Sequence, residues 1–241
     1  MRHLGFLLTA CCLFPACESR LPGRPPKDAV VVRPSQVLDF AVLYGSNCAG
    51  CHGPNGRGGA SVEIGNPVYL AFAEDSVLRR MTANGVPGTA MPAFAQSAGG
   101  MLSDAQVDAL VQGIRRWGKP DVLRNAEPPP YAASSGGDAA RGAQAYAVFC
   151  AACHGPGGRG GAKASSIVDG TYLALVSAQH LRTTVLVGRP DLGAPDWRSN
   201  VQGRPMTSEE VTDVVAWLLL QRPAFPGQPY PSGTASMGER K

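Results

Sequence analysis

Two segments of the chain carry apolar residues three and four positions apart, the spacing that places side chains on one face of an α-helix. The first segment begins with Ser103 and Gln106 and the second with Thr207 and Glu210, pairs that have capping-box spacing. The apolar positions are Val107, Leu110, Val111 and Ile114 in the first segment and Val211, Val214, Val215 and Leu218 in the second. The pattern therefore predicts two helices, each with one buried face.

A third apolar run, Leu4–Phe14, follows Arg2 and His3 at the N-terminus. The run is too short to span a bilayer as a stable helix, and a short basic start before such a run is typical of an export signal. We expect residues 1–16 to be removed as a signal peptide, which places the mature protein in the periplasm.

Cysteines beside this run predict a lipid anchor, because a small residue followed by Cys resembles a bacterial lipoprotein signal. The residues before Cys11 fit that signal better by type, whereas cleavage before Cys17 leaves a signal of more usual length and a polar start. We favour Cys17, which makes residues 17–34 a Pro-rich tether. A plain secretory signal, with these cysteines as apolar filler, is the alternative.

Four further cysteines lie in two pentapeptides of the pattern C-x-x-C-H. These are Cys48-Ala49-Gly50-Cys51-His52 and Cys150-Ala151-Ala152-Cys153-His154. Two thiols at this spacing can bond to the two vinyl groups of one haem, while the adjacent imidazole binds the iron. A thioredoxin-like pair requires a βαβ setting and a zinc site requires two cysteine pairs together, and neither requires this His. The sequence therefore predicts two covalently bound haem c groups, with His52 and His154 as iron ligands.

The two motifs belong to an internal repeat. Cys48 and Cys150 lie 102 residues apart, and each motif is followed by the same Gly-Arg-Gly-Gly-Ala loop. Further on, the repeat pairs Met101 with Met206 and Ser103 with Ser208. Because the repeat continues from motif to final helix, it predicts two tandem domains, residues 35–118 and 138–222.

Residues 119–137, between the two copies, combine Glu127-Pro128-Pro129-Pro130 with Ser134-Ser135-Gly136-Gly137. A stiff stretch followed by a flexible one is typical of a linker, and we expect it to keep the two cores apart. Residues 223–241 are similarly rich in Pro and Gly and are interpreted as a flexible tail.

Within each copy, the order of features resembles the class I cytochrome c family. The shared features are a helix running into C-x-x-C-H-G-P, a Gly-rich loop, a Tyr-Leu segment, a Met-bearing loop and a last helix. The resemblance implies an all-α fold. In the second copy Gly142 and Trp217 match the family's crossing of a small residue against an aromatic one, whereas the first copy has Phe40 and Gln112-Gly113 there. We expect the large and small partners to have exchanged helices.

The resemblance also bears on the sixth iron ligand. The loop beginning at Met91 is similar to the family's Met-Pro-Ala-Phe loop, so Met91 is the predicted ligand in the first domain, with Met101 as its rival. The second copy has Ala194 in place of Met91. We predict Met206 as the ligand there, and we interpret His180 as a surface residue.

Several other recurring residues have two interpretations each. Arg57 and Arg159 could reach haem propionates or could be solvated loop charges. Four aromatic residues are expected to line the haem pockets, with plain core packing as the alternative: Tyr69, Tyr172, Phe94 and Trp197.

Composition narrows the function. The 22 Lys and Arg against 18 Asp and Glu give a net charge of +4, and no basic run exceeds two residues, so we expect no nucleic-acid partner. No catalytic acid or base is apparent. We therefore predict a periplasmic, lipid-anchored dihaem cytochrome, not an enzyme, that relays single electrons between a redox donor and acceptor. The alternatives are a peroxidase-like dihaem enzyme with one open haem, and a fixed subunit of a dehydrogenase or respiratory complex.

Overall fold

Helices account for all the regular structure in residues 32–223, the part of the chain that the computed structural model describes. The α-helices are α1 (Phe40–Asn47), α2 (Ala49–His52), α3 (Pro67–Phe72), α4 (Asp75–Asn84), α5 (Asp104–Arg115), α6 (Ala139–Phe149), α7 (Ala151–His154), α8 (Gly170–Leu175), α9 (Ala178–Val187) and α10 (Ser208–Leu220). Short 3-10 helices lie at Pro34–Gln36, Pro54–Gly56, Gln96–Ala98, Pro156–Gly158 and Pro190–Leu192. Within these described residues two isolated bridges form but no strand, which confirms the all-α fold class. The predicted signal peptide, the Cys17 anchor and nearly all of the predicted tail lie outside this range.

The helices α1–α5 and α6–α10 follow the same order, as a tandem repeat requires. Both final helices begin with the predicted capping boxes, and their N-cap residues are Ser103 and Thr207. The structural partner of Ser103 is therefore Thr207 and not Ser208. As a consequence Met206 pairs with Leu102, which corrects the expected pairing with Met101.

The first and last helices of each half cross where one partner has no side chain. A Cβ built on Gly142 would overlap the carbonyl oxygen of Asp213 and would lie 2.8 Å from Cβ of Trp217. In the first half a Cβ on Gly113 would overlap the ring of Phe40. The large and small partners have thus exchanged helices, as the sequence predicted, with Gly113 as the small one.

The segment between the halves does not act as a spacer. The ring of Tyr131 lies 6.4 Å from that of Tyr69 and 6.5 Å from that of Phe72, and the carbonyl of Val122 accepts a 2.9 Å hydrogen bond from Arg198. Residues 34–223 belong to a single compact unit. The expectation that the linker keeps the two cores apart is therefore wrong, because its aromatic and carbonyl groups pack on both halves.

Arg182 fixes this segment to the second half. Its side chain is buried and donates to the carbonyls of Pro130 at 2.7 Å and Tyr131 at 3.1 Å, and to the hydroxyl of Thr212 at 2.8 Å. The equivalent Arg79 is half exposed and pairs with two carboxylates of α5 instead. One repeat position therefore has a structural role in one half and a surface role in the other.

None of the helices between residues 32 and 223 combines the length and the apolar character that crossing a membrane would require.

Candidate functional site

Each C-x-x-C-H motif lies on a single helical turn directly after the first helix of its half. Asp39 caps α1 by accepting from the backbone N–H of Val42, and Asp138 caps α6 in the same manner. After α1 and α6 the chain turns at Cys48 and Cys150 into α2 and α7. Residues three and four apart on a helix share one face, so both thiols and the imidazole of each motif lie on one side of the turn.

A tyrosine holds the backbone directly behind each motif. The hydroxyl of Tyr44 donates to the carbonyl of Gly53 at 2.8 Å, and that of Tyr146 donates to Gly155 at 2.5 Å. Both glycines have a φ of 75°, and a Cβ on Gly53 would overlap the backbone of Arg57. The residue after the His must therefore be Gly for the following loop to fold back on the motif.

The histidines have the same hydrogen-bond geometry. Nδ1 of His52 lies 2.8 Å from the carbonyl oxygen of Val62, and Nδ1 of His154 lies 2.9 Å from that of Ser165. A carbonyl only accepts, so Nδ1 carries the proton and the lone pair of Nε2 is free to bind a metal. Burial lowers the pKa of His52, which favours the neutral ring that metal binding requires.

The four motif cysteines form no disulfide, and they do not form one cluster. Burial and then the neighbouring thiol raise the pKa of Cys48 and of Cys150 to about 11, whereas Cys51 and Cys153 are exposed. In the described part of the chain, no group of three or more His, Cys, Asp or Glu side chains is placed to hold a metal ion. Separate pairs of thiols, each beside one neutral imidazole, fit covalent haem attachment better than a shared zinc site.

The loops that precede the last helices each pack against a glycine in a matching way. A Cβ on Gly85 would lie 2.7 Å from the carbonyl oxygen of Met91, and one on Gly188 would lie 2.6 Å from that of Ala194. Ala194 therefore occupies the place of Met91 in the second half, as the repeat predicted. Met91 is half buried, whereas its rival Met101 is 81 % exposed.

Met206 lies apart from that loop position. Its backbone N–H donates to the carbonyl of Trp197 at 2.9 Å, just as that of Leu102 donates to Phe94 at 2.7 Å. Both side chains are buried in the core. The structure thus brings Met206 to a position that a leucine fills in the first half.

The other predicted site residues have different surroundings. Tyr69 and Trp197 are buried, and burial raises the pKa of Tyr69. Arg57 donates twice to the carbonyl of Gly65, at 3.1 and 2.9 Å, and so closes its own loop. His180 is half buried on α9, and burial, then the charges of Arg189 and His52, lower its pKa.

Sequence reasoning missed the contacts between the halves. Arg189 donates to the carbonyl of Gly59 at 3.2 Å and Asn66 donates to that of Val187 at 3.2 Å. The buried carboxylate of Glu63 accepts from the backbone N–H of Gly58 at 3.1 Å, next to the loop that holds His52. A lone polar or charged residue in a loop gives no sign in the sequence of whether it is solvated or buried. No sequence pattern therefore indicated these contacts.

An all-α fold with C-x-x-C-H on the turn after each first helix defines a c-type cytochrome, a class that binds haem c covalently. The chain belongs to the family described as cytochrome c oxidase, cbb3-type, subunit III, whose family model matches residues 35–112 and again 137–218. The two matches confirm the cytochrome c resemblance and its tandem arrangement.

Two relatives are named as cytochrome subunits of respiratory complexes. The chain is 28 % identical over 181 residues to the cytochrome bc1 complex cytochrome c subunit of Mycobacterium tuberculosis, covering 73 % of this chain and 60 % of that protein. It is 28 % identical over 160 residues to the Cbb3-type cytochrome c oxidase subunit CcoP of an Azospirillum species, covering 58 % and 47 %. The chain thus spans about half to three-fifths of the length of these relatives. The solved KustC0563 c-type cytochrome is 24 % identical and matches 34 % of this chain and 99 % of that chain, with a TM-score of 0.30.

Proposed function

We propose that the protein carries two covalent haem c groups and relays single electrons between redox partners outside the cytoplasm. The observation that carries the proposal is the duplicated attachment turn, in which each His donates through Nδ1 to a loop carbonyl at 2.8 or 2.9 Å. Haem, when bound, supplies the one-electron chemistry. The chain supplies two thiols per group, a proximal imidazole of fixed tautomer and, in the first domain, Met91.

The contacts between the halves support a relay. Arg189 bonds to the loop that follows the first motif, and the ring of Phe72 meets that of Trp197 edge to face at 5.3 Å. Contacts of this kind hold the two attachment turns at one separation. A fixed separation suits repeated electron transfer between two groups better than two independently moving domains would.

A fixed subunit of a respiratory complex is a second candidate, and the relatives favour it. The bc1 cytochrome c subunit and CcoP are named as components of such complexes. Lipidation at Cys17 would hold the chain at the membrane surface, where a quinol-oxidising complex or an oxidase could bind it. The lipid anchor therefore forms part of this proposal.

Two experiments test the relay and separate it from the alternatives. In spectroelectrochemical titration of the purified full chain, we expect two one-electron steps, and His154→Ala should remove one of them while the other remains. Peroxide turnover well above that of a free haem peptide would instead favour the enzyme. Tagged protein solubilised in mild detergent distinguishes the two non-enzymatic candidates, because a fixed subunit co-purifies with b-type haem and a free carrier does not.

A further inference from the structure

We propose that the second haem has no protein thioether in its sixth position and that its ferrous iron binds a small neutral diatomic molecule there, such as carbon monoxide. The inference rests on the proposed attachment of that haem at Cys150, Cys153 and His154. It adds a ligand-binding site to an electron-transfer protein. It also replaces the sequence prediction of Met206 as the sixth ligand.

The loop that carries Met91 in the first domain shares backbone contacts with the loop that carries Ala194 in the second. The N–H of Val86 donates to the carbonyl of Met91 at 3.1 Å, and the equivalent N–H of Arg189 donates to Ala194 at 2.9 Å. Each loop also folds against its own glycine, Gly85 or Gly188, at matching distances. Because these backbone contacts match, Ala194 holds the chain position of Met91, and its methyl group has no electron pair to donate.

Met206 does not take over the role of Met91 from a neighbouring position. It immediately precedes the N-cap residue Thr207 and donates to Trp197, as Leu102 precedes Ser103 and donates to Phe94. Its side chain is 2 % exposed and that of Leu102 is 6 % exposed. The first domain folds with a leucine at this position, so the role that both side chains share is core packing.

The second domain has few other side chains that could donate to the iron. His180 lies on α9, the counterpart of α4, and is half buried there, ahead of the loop that carries Ala194. Lys163 is exposed in the loop that follows the C-x-x-C-H turn. Among residues 138–223, Met206 and His180 are the only thioether and imidazole groups besides His154.

Charges near Ala194 are neutralised within the loop, which favours an uncharged ligand. Asp191 pairs with Arg189 at 2.8 Å, and Asp196 pairs with Arg198 at 2.6 Å. Neither pair leaves a net charge to attract an anion. A site without net charge favours a neutral diatomic molecule, which binds by accepting electron density from ferrous iron.

The test is a carbon monoxide titration of the reduced, full-length holoprotein, followed by absorption. We expect one carbon monoxide per two haems in the wild type. Ala194→Met should abolish binding and add a thioether-to-iron charge-transfer band at the red end of the ferric spectrum. Met206→Leu, which copies the first domain, should still bind one equivalent with an unchanged spectrum.

Several results would overturn the inference. The inference fails if the wild type binds no carbon monoxide. In that case, a variant that raises the stoichiometry from zero to one, either Met206→Leu or Met237→Leu, would identify the true ligand. Met237 lies outside the described residues. Binding that Ala194→Met leaves intact would also contradict it. A pyridine haemochrome count of the same sample separates this failure from that of the proposed function, since a count of one haem refutes both.

Discussion

The ring of Phe40 lies directly on Gly113, where α1 crosses α5, and a Cβ at position 113 would overlap it. The ring of Trp117 meets that of Phe40 edge to face at 5.3 Å and completes the contact. In the second domain the relationship is reversed, with Gly142 on the first helix beneath Trp217 on the last. The same crossing is therefore built twice with opposite partners.

Because the ring of Phe40 occupies the space above position 113, Gly113→Ala should destabilise the first domain. Overpacking of this kind costs about 1–3 kcal/mol. Phe40→Leu should restore part of the loss in the double variant. Gly45→Ala is the matched control, since nothing lies within 4 Å of a Cβ there and a helical Gly→Ala change is neutral or stabilising. Urea unfolding of the holoproteins measures the difference, and equal midpoints for Gly113→Ala and Gly45→Ala would contradict the crossing.

A second prediction concerns Arg182, which binds the carbonyls of the segment between the two halves. Arg182→Met removes the donor to the Pro130 carbonyl and one of the two donors to the Tyr131 carbonyl, which also accepts from Gln179 at 2.9 Å, a loss of about 1–3 kcal/mol. Limited proteolysis should then cut within residues 119–137. Arg79→Met changes the equivalent, half-exposed residue and should leave the unfolding midpoint and the cleavage pattern unaltered. Similar sensitivity of the two variants would show that Arg182 does not hold the segment.

The sequence predicted the parts of the fold that depend on local chemistry. The capping boxes at Ser103 and Thr207, the helix faces and the C-x-x-C-H turns each need only residues close in the chain. The roles of Arg182 and Tyr131 depend on groups about 50 residues away or in the other half, and no local pattern reports such partners. The Met206 alignment failed by one residue, because Thr207 and Ser208 can both cap a helix and only the hydrogen bonds decide between them.

A third prediction tests the ligand in the first domain. Met91→Leu should let that haem bind carbon monoxide and should lower its reduction potential, because a thioether ligand raises the potential. Met101→Leu alters an exposed methionine and should change neither property. Spectroelectrochemical titration of both variants provides the measurement. An unchanged potential in Met91→Leu would assign the sixth ligand to another residue.

The lipid anchor can be tested by fractionation of cells that express the full chain. Cys17→Ser should move the protein from the membrane to the soluble periplasmic fraction, and a diacylated N-terminal cysteine should be detected only in the wild type. Cys11→Ser tests the rival cleavage site and should leave the protein at the membrane. If Cys11→Ser alone releases the protein, the anchor is assigned to the wrong cysteine.

The central claim is that both C-x-x-C-H turns hold haem. Intact-mass spectrometry of the purified protein tests this claim most directly, and acid-acetone extraction checks that the haem is covalently bound. We expect the mass of the mature chain plus two haems, none of it extractable. Cys150→Ser should retain both haems, with the second held by one thioether only. A wild-type mass corresponding to one haem, or haem that acid-acetone removes, would contradict the account.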